Sequence, residues 1–218
     1  MKAAIFDLDG TLIDLFEVHL RAFKELVRKH SGLEFTREDL VAGYGLRGEE
    51  IVESFLGKNE VHDVDVGELT KERVSLAEKG AGEALVLPGV LELLAKLKSG
   101  GVRLAVGTSA RRSMTIRVLE AAGLAGFFDA VVAIDDVSRG KPAPDIFLKA
   151  AGKLGVAPAD CVVFEDSPYG IRAAKAAGMK SVAVLHGSQT PDELEKSKAD
   201  LTLKSLENAS LEALESLL

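Results

Sequence analysis

The chain has 218 residues, 47% of them apolar and 28% charged, with a formal net charge of −7 at pH 7. This composition excludes a disordered chain and leaves room for one sizeable core, or for one main domain carrying a smaller insertion. No basic block offsets the acidic total, which argues against nucleic acid or an anionic membrane as partner; Cys161 is the only cysteine, so no internal disulfide forms.

No apolar run approaches the ~20 residues of a membrane span, and the first residues lack the basic and apolar regions of a signal peptide. The expectation is a cytoplasmic enzyme. Residues 3–6 are an apolar run of the kind expected for a strand buried on both faces, with Lys2 the only charge before Asp7. An extended chain alternates with a period of two, so Asp7 and Asp9 leave the backbone on roughly the same side. Two crowded carboxylates repel unless a cation or a proton intervenes. A turn after the strand explains Gly10, but not the pairing.

Helical spacing follows, with Phe16, Leu20, Phe23 and Val27 on one stripe and Ser31-Gly32 as the stop. Three more short helices are predicted at about 36–42, 47–56 and 65–79, with no strand between them. From Leu87-Pro88-Gly89 onward the pattern alternates. Strands are predicted at 103–107, 130–134, 161–164, 181–185 and 200–203, and helices at 89–98, 112–122, 145–154 and 169–177. Such alternation is the sequence pattern of an α/β fold with a doubly wound parallel sheet. Residues 1–14 and 84–218 then form the core, and 15–83 a helical insertion.

Open α/β sheets bind ligands at the carboxyl ends of their strands. Strand 1 ends in Asp7 and Asp9; the strand at 103–107 ends in Thr108-Ser109, whose hydroxyls can donate to an anionic oxygen; the strand at 161–164 ends in Glu165-Asp166. Lys141 lies in a loop stiffened by Pro142 and Pro144, just before a helix. Taken singly these are a helix cap, a solvated lysine and a capping pair. Those explanations do not account for all of them falling at strand ends.

The run Asp7-Leu8-Asp9-Gly10-Thr11, the pair Thr108-Ser109 after a strand, Lys141 in Lys-Pro-Ala-Pro-Asp, and Phe164-Glu165-Asp166-Ser167-Pro168 followed by Gly170 resemble the four motifs of the haloacid dehalogenase-like (HAD) superfamily. The similarity is to the branch with a helical cap after the first motif, which includes phosphoglycolate phosphatase-like enzymes and beta-phosphoglucomutase. It implies a Rossmann-like core with an all-α cap over 15–83 that closes on hinges near 13–15 and 84–88. It also implies Asp7 as the nucleophile that forms an aspartyl-phosphate, and Asp9 as the acid and then the base. Thr108, Ser109 and Lys141 would hold the phosphate, and Mg2+ would be held by Asp7, the Asp9 carbonyl, Asp166 and, as a further candidate, Glu165. In the cap the resemblance offers two substrate residues. His19 occupies the mutase's cap-histidine position but also borders the apolar stripe, and Arg47 lies in the specificity loop, one position before the mutase arginine, where Gly48 stands. Leu15 is a second departure from the mutase, which has a hydroxyl residue there.

The resulting expectation is a phosphatase acting on a small phosphorylated metabolite, such as phosphoglycolate or a sugar phosphate, in a chain that is a monomer or weak homodimer. A phosphomutase is the alternative, and a catalytically silent binding module the third reading.

Overall fold

Strand β1 (Ala3–Phe6) is buried along its whole length and lies in the middle of a parallel sheet. The computed structural model describes residues 1–43, 46, 48–62, 64–185 and 198–217. The chain divides into two compact units, Met1–Asp14 with Leu85–Leu218, and Leu15–Ala84.

In the first unit, β1 is flanked by β4 (Arg103–Gly107), paired Ala3 to Arg103 through Phe6 to Val106, and by β6 (Cys161–Glu165), paired Ala3 to Cys161 through Phe6 to Phe164. With β5 (Ala130–Val132), β7 (Lys180–Val184) and β8 (Leu201–Leu203) the order is β5-β4-β1-β6-β7-β8, parallel throughout. The chain builds outward to β5 and then crosses back to β6 on the other side of β1. That reversal puts a switch point beside β1, where such sheets bind ligands.

Alternation sends Ala3 and Ile5 to one face and Ala4 and Phe6 to the other. On the first face Ile5, Ala105 and Val163 pack with Ile146, Phe147, Ala150 and Leu154 of α7 (Asp145–Leu154) and Ala173 and Ala174 of α8 (Pro168–Ala176). On the second, the rings of Phe6 and its register partner Phe164 stack 4.5 Å apart, and α5 (Val90–Ser99) packs on β4. The sheet is therefore apolar on both sides, which is why its strands read as continuous apolar runs. α6 (Arg112–Ala121) joins β4 to β5, and α9 (Leu211–Glu215) closes the chain.

The second unit is helical: α1 (Phe16–Ser31), α2 (Arg37–Ala42), α3 (Gly48–Lys58) and α4 (Val66–Lys79). α1 carries Glu17 in its first turn and Arg28, Lys29 and His30 in its last, each placed to suit the helix dipole, and ends on Gly32 at φ +70°. α2 starts in a reciprocal cap between Thr36 and Asp39, and α4 on the Asp65 carboxylate, which accepts from the Glu68 N–H. Phe23, Phe35 and Phe55 form the centre of this unit's core, with successive centroids 4.9 and 5.1 Å apart.

Several predicted bounds move. The strand at 130–134 stops at Val132, because residues 134–136 form a 3-10 turn in which the Asp136 carboxylate accepts from the Ala133 N–H. A two-residue antiparallel pair, β2 (Ile13–Asp14) with β3 (Leu85–Val86), lies where no strand is predicted. Among the described residues, no helix is long and apolar enough to cross a membrane.

Candidate active site

Asp7 sits one residue beyond β1, and its N–H donates to Phe164 O at 2.9 Å, which carries the β1–β6 ladder to the site's edge. The chain then turns tightly. The N–H groups of Leu12 and Ile13 both donate to Leu8 O, at 2.9 and 3.1 Å, and the Gly10 N–H to Ile13 O at 2.7 Å. Gly10 has φ +82°, and a Cβ there would lie 2.1 Å from Asp166 Oδ2. Glycine is required twice over, by conformation and by the carboxylate pressed against its backbone.

Lys141 reaches this point from the loop before α7. Its side chain is 6% exposed, and its ammonium pairs with Asp7 Oδ1 and, at 2.5 Å, with Glu165 Oε1. The other oxygen of Glu165 accepts from both the N–H and the hydroxyl of Ser167, each at 2.8 Å. Ser167 also caps α8, accepting from the Gly170 N–H at 3.0 Å. Position 170 must be glycine, since a Cβ there would fall 1.8 Å from Glu165 Oε1.

At the end of β4, Thr108 is buried; its N–H donates to Val132 O and its hydroxyl oxygen accepts from the Ala110 N–H, both at 3.0 Å. The hydroxyl proton remains to be donated elsewhere. The loop after it is braced from the 3-10 turn that follows β5: the Arg112 N–H donates to Asp135 Oδ2 at 2.7 Å, and its guanidinium pairs with Asp136.

The charge balance is uneven. Burial pushes the Asp7 carboxyl up to about 7; Lys141 pulls it back, while Glu165 and Asp9 push it further up. Asp166 is raised well above the ordinary range by burial first and then by Glu165, Asp7 and Asp9. For Lys141, burial disfavours the ammonium, yet the charges of Asp7 and Glu165 outweigh burial and raise it. One ammonium among four carboxylates leaves room for further positive charge.

The structure thus brings Asp7, Lys141, Glu165 and Asp166 together, with Asp9 close enough to act on Asp7 and Asp166, and Thr108 on the neighbouring strand end. Ser109 is exposed. His19 is half-buried on α1 in the second unit, and Arg47 lies outside the described residues. Sequence reasoning assigned no role to Ser167 or Gly170, although a glycine in a helix's first turn, after Ser-Pro, was the available signal.

The donors fit a hard divalent cation. The Asp7 and Asp166 carboxylates and the Asp9 backbone carbonyl are oxygen donors of the kind such a cation takes, and the absence of a Cβ at Gly10 keeps Asp166 against the Asp9-Gly10 backbone. Glu165 is placed differently from its expectation as a ligand, because both its oxygens already accept from Lys141 and Ser167. Among the described residues no group of three or more His, Cys, Asp or Glu side chains forms a ready-made cage. A cation here would need the backbone carbonyl, water and substrate as well.

The family profile of haloacid dehalogenase-like hydrolase matches residues 4–184. The fructose-1-phosphate phosphatase YqaB of Escherichia coli is 39% identical over 184 residues, covering 83% of this chain and 94% of its own. The beta-phosphoglucomutase of Bacillus subtilis is 35% identical over 94% of both chains. Among solved structures, CbbY from Rhodobacter sphaeroides in complex with phosphate superposes with a TM-score of 0.86 at 29% identity, over 99% of each chain.

Proposed function

The chain belongs to the haloacid dehalogenase-like hydrolases, and from that membership we propose that it is a magnesium-dependent phosphatase acting on a small phosphate monoester, a sugar phosphate by preference, in the cytoplasm. The observation that carries this reading is the buried contact of Lys141 with Asp7 and Glu165 beside Asp166. A fully apolar strand would not end in such a cluster for stability alone, since unpaired buried carboxylates are costly.

In the proposed reaction an Asp7 carboxylate oxygen attacks phosphorus, the bond to the ester oxygen breaks, and Asp9 gives its proton to that leaving oxygen. Asp9 then takes a proton from water as the water attacks the aspartyl-phosphate, and the bond to Asp7 breaks with release of inorganic phosphate. Thr108 donates its hydroxyl proton to a phosphate oxygen, Lys141 neutralises charge on the transferring group, and the backbone turn at Ser109 contributes to the same cradle. Asp7, Asp166 and the Asp9 carbonyl would hold Mg2+, which offsets the repulsion between an anionic nucleophile and an anionic phosphate. Glu165 holds Lys141 in place. His19 and the loop bearing Arg47 are proposed to contribute to substrate choice from the inserted unit.

The similarity to YqaB supports a sugar phosphate, and the similarity to beta-phosphoglucomutase favours phosphomutase as the second reading. The two differ in where the phosphoryl group goes. Release of inorganic phosphate from a panel of sugar phosphates and phosphoglycolate, with and without magnesium and with Asp7→Asn as control, tests the proposal. Magnesium-dependent release that Asp7→Asn abolishes is the expected result. Interconversion of sugar-phosphate isomers without release would replace hydrolysis with mutase chemistry, and undiminished release by Asp7→Asn would refute the nucleophile.

A further inference from the structure

Phe147 stands in the first turn of α7, fully buried, and the Lys141 ammonium lies over its ring, 5.0 Å from the centroid. The same ring also meets the end of β4: a Cβ on Gly107 would come within 3.1 Å of Phe147 Cδ1 and Cε1, so glycine there leaves the ring its place. The residue after Gly107 is Thr108. One rigid ring therefore abuts both the ammonium and the strand end that carries the hydroxyl.

The site described above explains two of the three Lys141 N–H donors, through Asp7 and Glu165. A leucine at 147 would fill the same side with apolar volume but would offer the cation nothing. An aromatic face attracts it electrostatically, most strongly where water is excluded. The distinction matters during turnover. Once Asp7 carries a phosphoryl group, its attacking oxygen is no longer a carboxylate oxygen and its hold on the ammonium falls. Lys141 then turns from Asp7 to the phosphoryl oxygens, and within the protein only Glu165 and the ring still fix where its ammonium stands, at the stage when it must stay beneath the phosphoryl group for water to attack. We propose that Phe147 is a positioning residue, whose ring face holds the Lys141 ammonium in register while Asp7 is phosphorylated. This rests on the phosphatase reading above.

The test is to place phenylalanine, then 4-fluoro-, 3,5-difluoro- and 3,4,5-trifluorophenylalanine, at position 147 of the full chain by site-directed incorporation. Fluorination preserves the ring's shape and progressively removes the negative charge of its face, so a residue that merely packs would not respond. Magnesium-dependent phosphate release from fructose 1-phosphate is expected to show kcat falling stepwise, to about one tenth in the trifluoro chain, with KM and melting temperature little changed. A flat kcat across the series at unchanged melting temperature overturns the proposal, as does a fall that appears in KM alone. If the unsubstituted chain releases no phosphate from any ester, the phosphatase reading fails separately. Calorimetric binding of inorganic phosphate with magnesium then decides on Phe147: graded weakening along the series upholds its contact with Lys141, whereas unchanged affinity, or no binding by the unsubstituted chain, overturns it.

Discussion

Gly170→Ala is the sharpest test of how the site is built. In most helix interiors this change stabilises by about 1 kcal/mol, because alanine has less backbone freedom to lose. Here the new methyl would fall 1.8 Å from Glu165 Oε1, 1.9 Å from Cδ and 2.5 Å from Cγ, too deep for a small rotation to relieve. Glu165 must leave its position, giving up two bonds from Ser167 and the ion pair with Lys141. Removing one partner of a buried pair costs about 3–5 kcal/mol, so the net loss is about 2–4 kcal/mol after the helix gain. For a chain of this length each kcal/mol lowers Tm by about 2–4 °C, so the expected drop is on the order of 4–16 °C. Calorimetric unfolding measures it, and Glu165→Gln should absorb part of the same loss when combined with Gly170→Ala, because both act on one carboxylate. A Gly170→Ala chain as stable as the parent, or more stable, would refute the wedge between Glu165 and α8.

Thr11 is fully buried, and its hydroxyl oxygen has no hydrogen-bond partner among the described residues, so Thr11→Val should raise stability by about 1 kcal/mol; a loss of that size in urea unfolding would contradict the placement. For Asp200, burial raises the carboxyl, but bonds from the Ser181 N–H and hydroxyl, both at 2.9 Å, and from Lys180 outweigh it and hold the group below its ordinary value. Its stabilisation is therefore complete above the unfolded-state value and disappears as pH falls through the folded one. The stability gap between the parent and Asp200→Asn should be constant above about pH 5 and narrow only as pH falls below about 4, and a gap that narrows from neutral pH downward, or that does not narrow before acid unfolding, would refute the assignment. Magnesium should raise the melting temperature, by about 2.7 kcal/mol of stability at a hundredfold excess over its Kd, and Asp166→Asn should remove that response while leaving the metal-free chain as stable as before or more so. A magnesium response unchanged in Asp166→Asn would exclude this residue as a ligand.

The chemistry-bearing residues were legible because they fall at strand ends, and strand ends are marked by the switch from apolar run to charge. Asp7, Thr108 and Asp166 follow directly on predicted strands, whereas Lys141 lies in the loop before α7 and stood out through its flanking prolines and the family resemblance. Gly170 and Ser167 were not readable in the same way, since their roles depend on which way the Glu165 side chain turns, and Phe147 looked like one more apolar residue of α7. Glu165 illustrates the limit from the other side: residue type made it a candidate ligand, and only the direction of its two oxygens tied it to Lys141 and Ser167. β2 and β3 were missed because two-residue strands carry no periodicity.

That small ribbon has a consequence for how such a chain could diversify. Asp14 and Leu85 are register partners, and the Leu87 N–H reaches back to Leu12 O at 3.0 Å, so the polypeptide leaves and re-enters the sheet domain at adjacent points. Seventy residues are spliced in at a place that a two-residue hairpin loop would also close. What occupies that splice can be exchanged, lengthened or lost over evolutionary time while the strand carrying Asp7 keeps its pairing on both sides, which lets one hydrolytic core be fitted to many substrates.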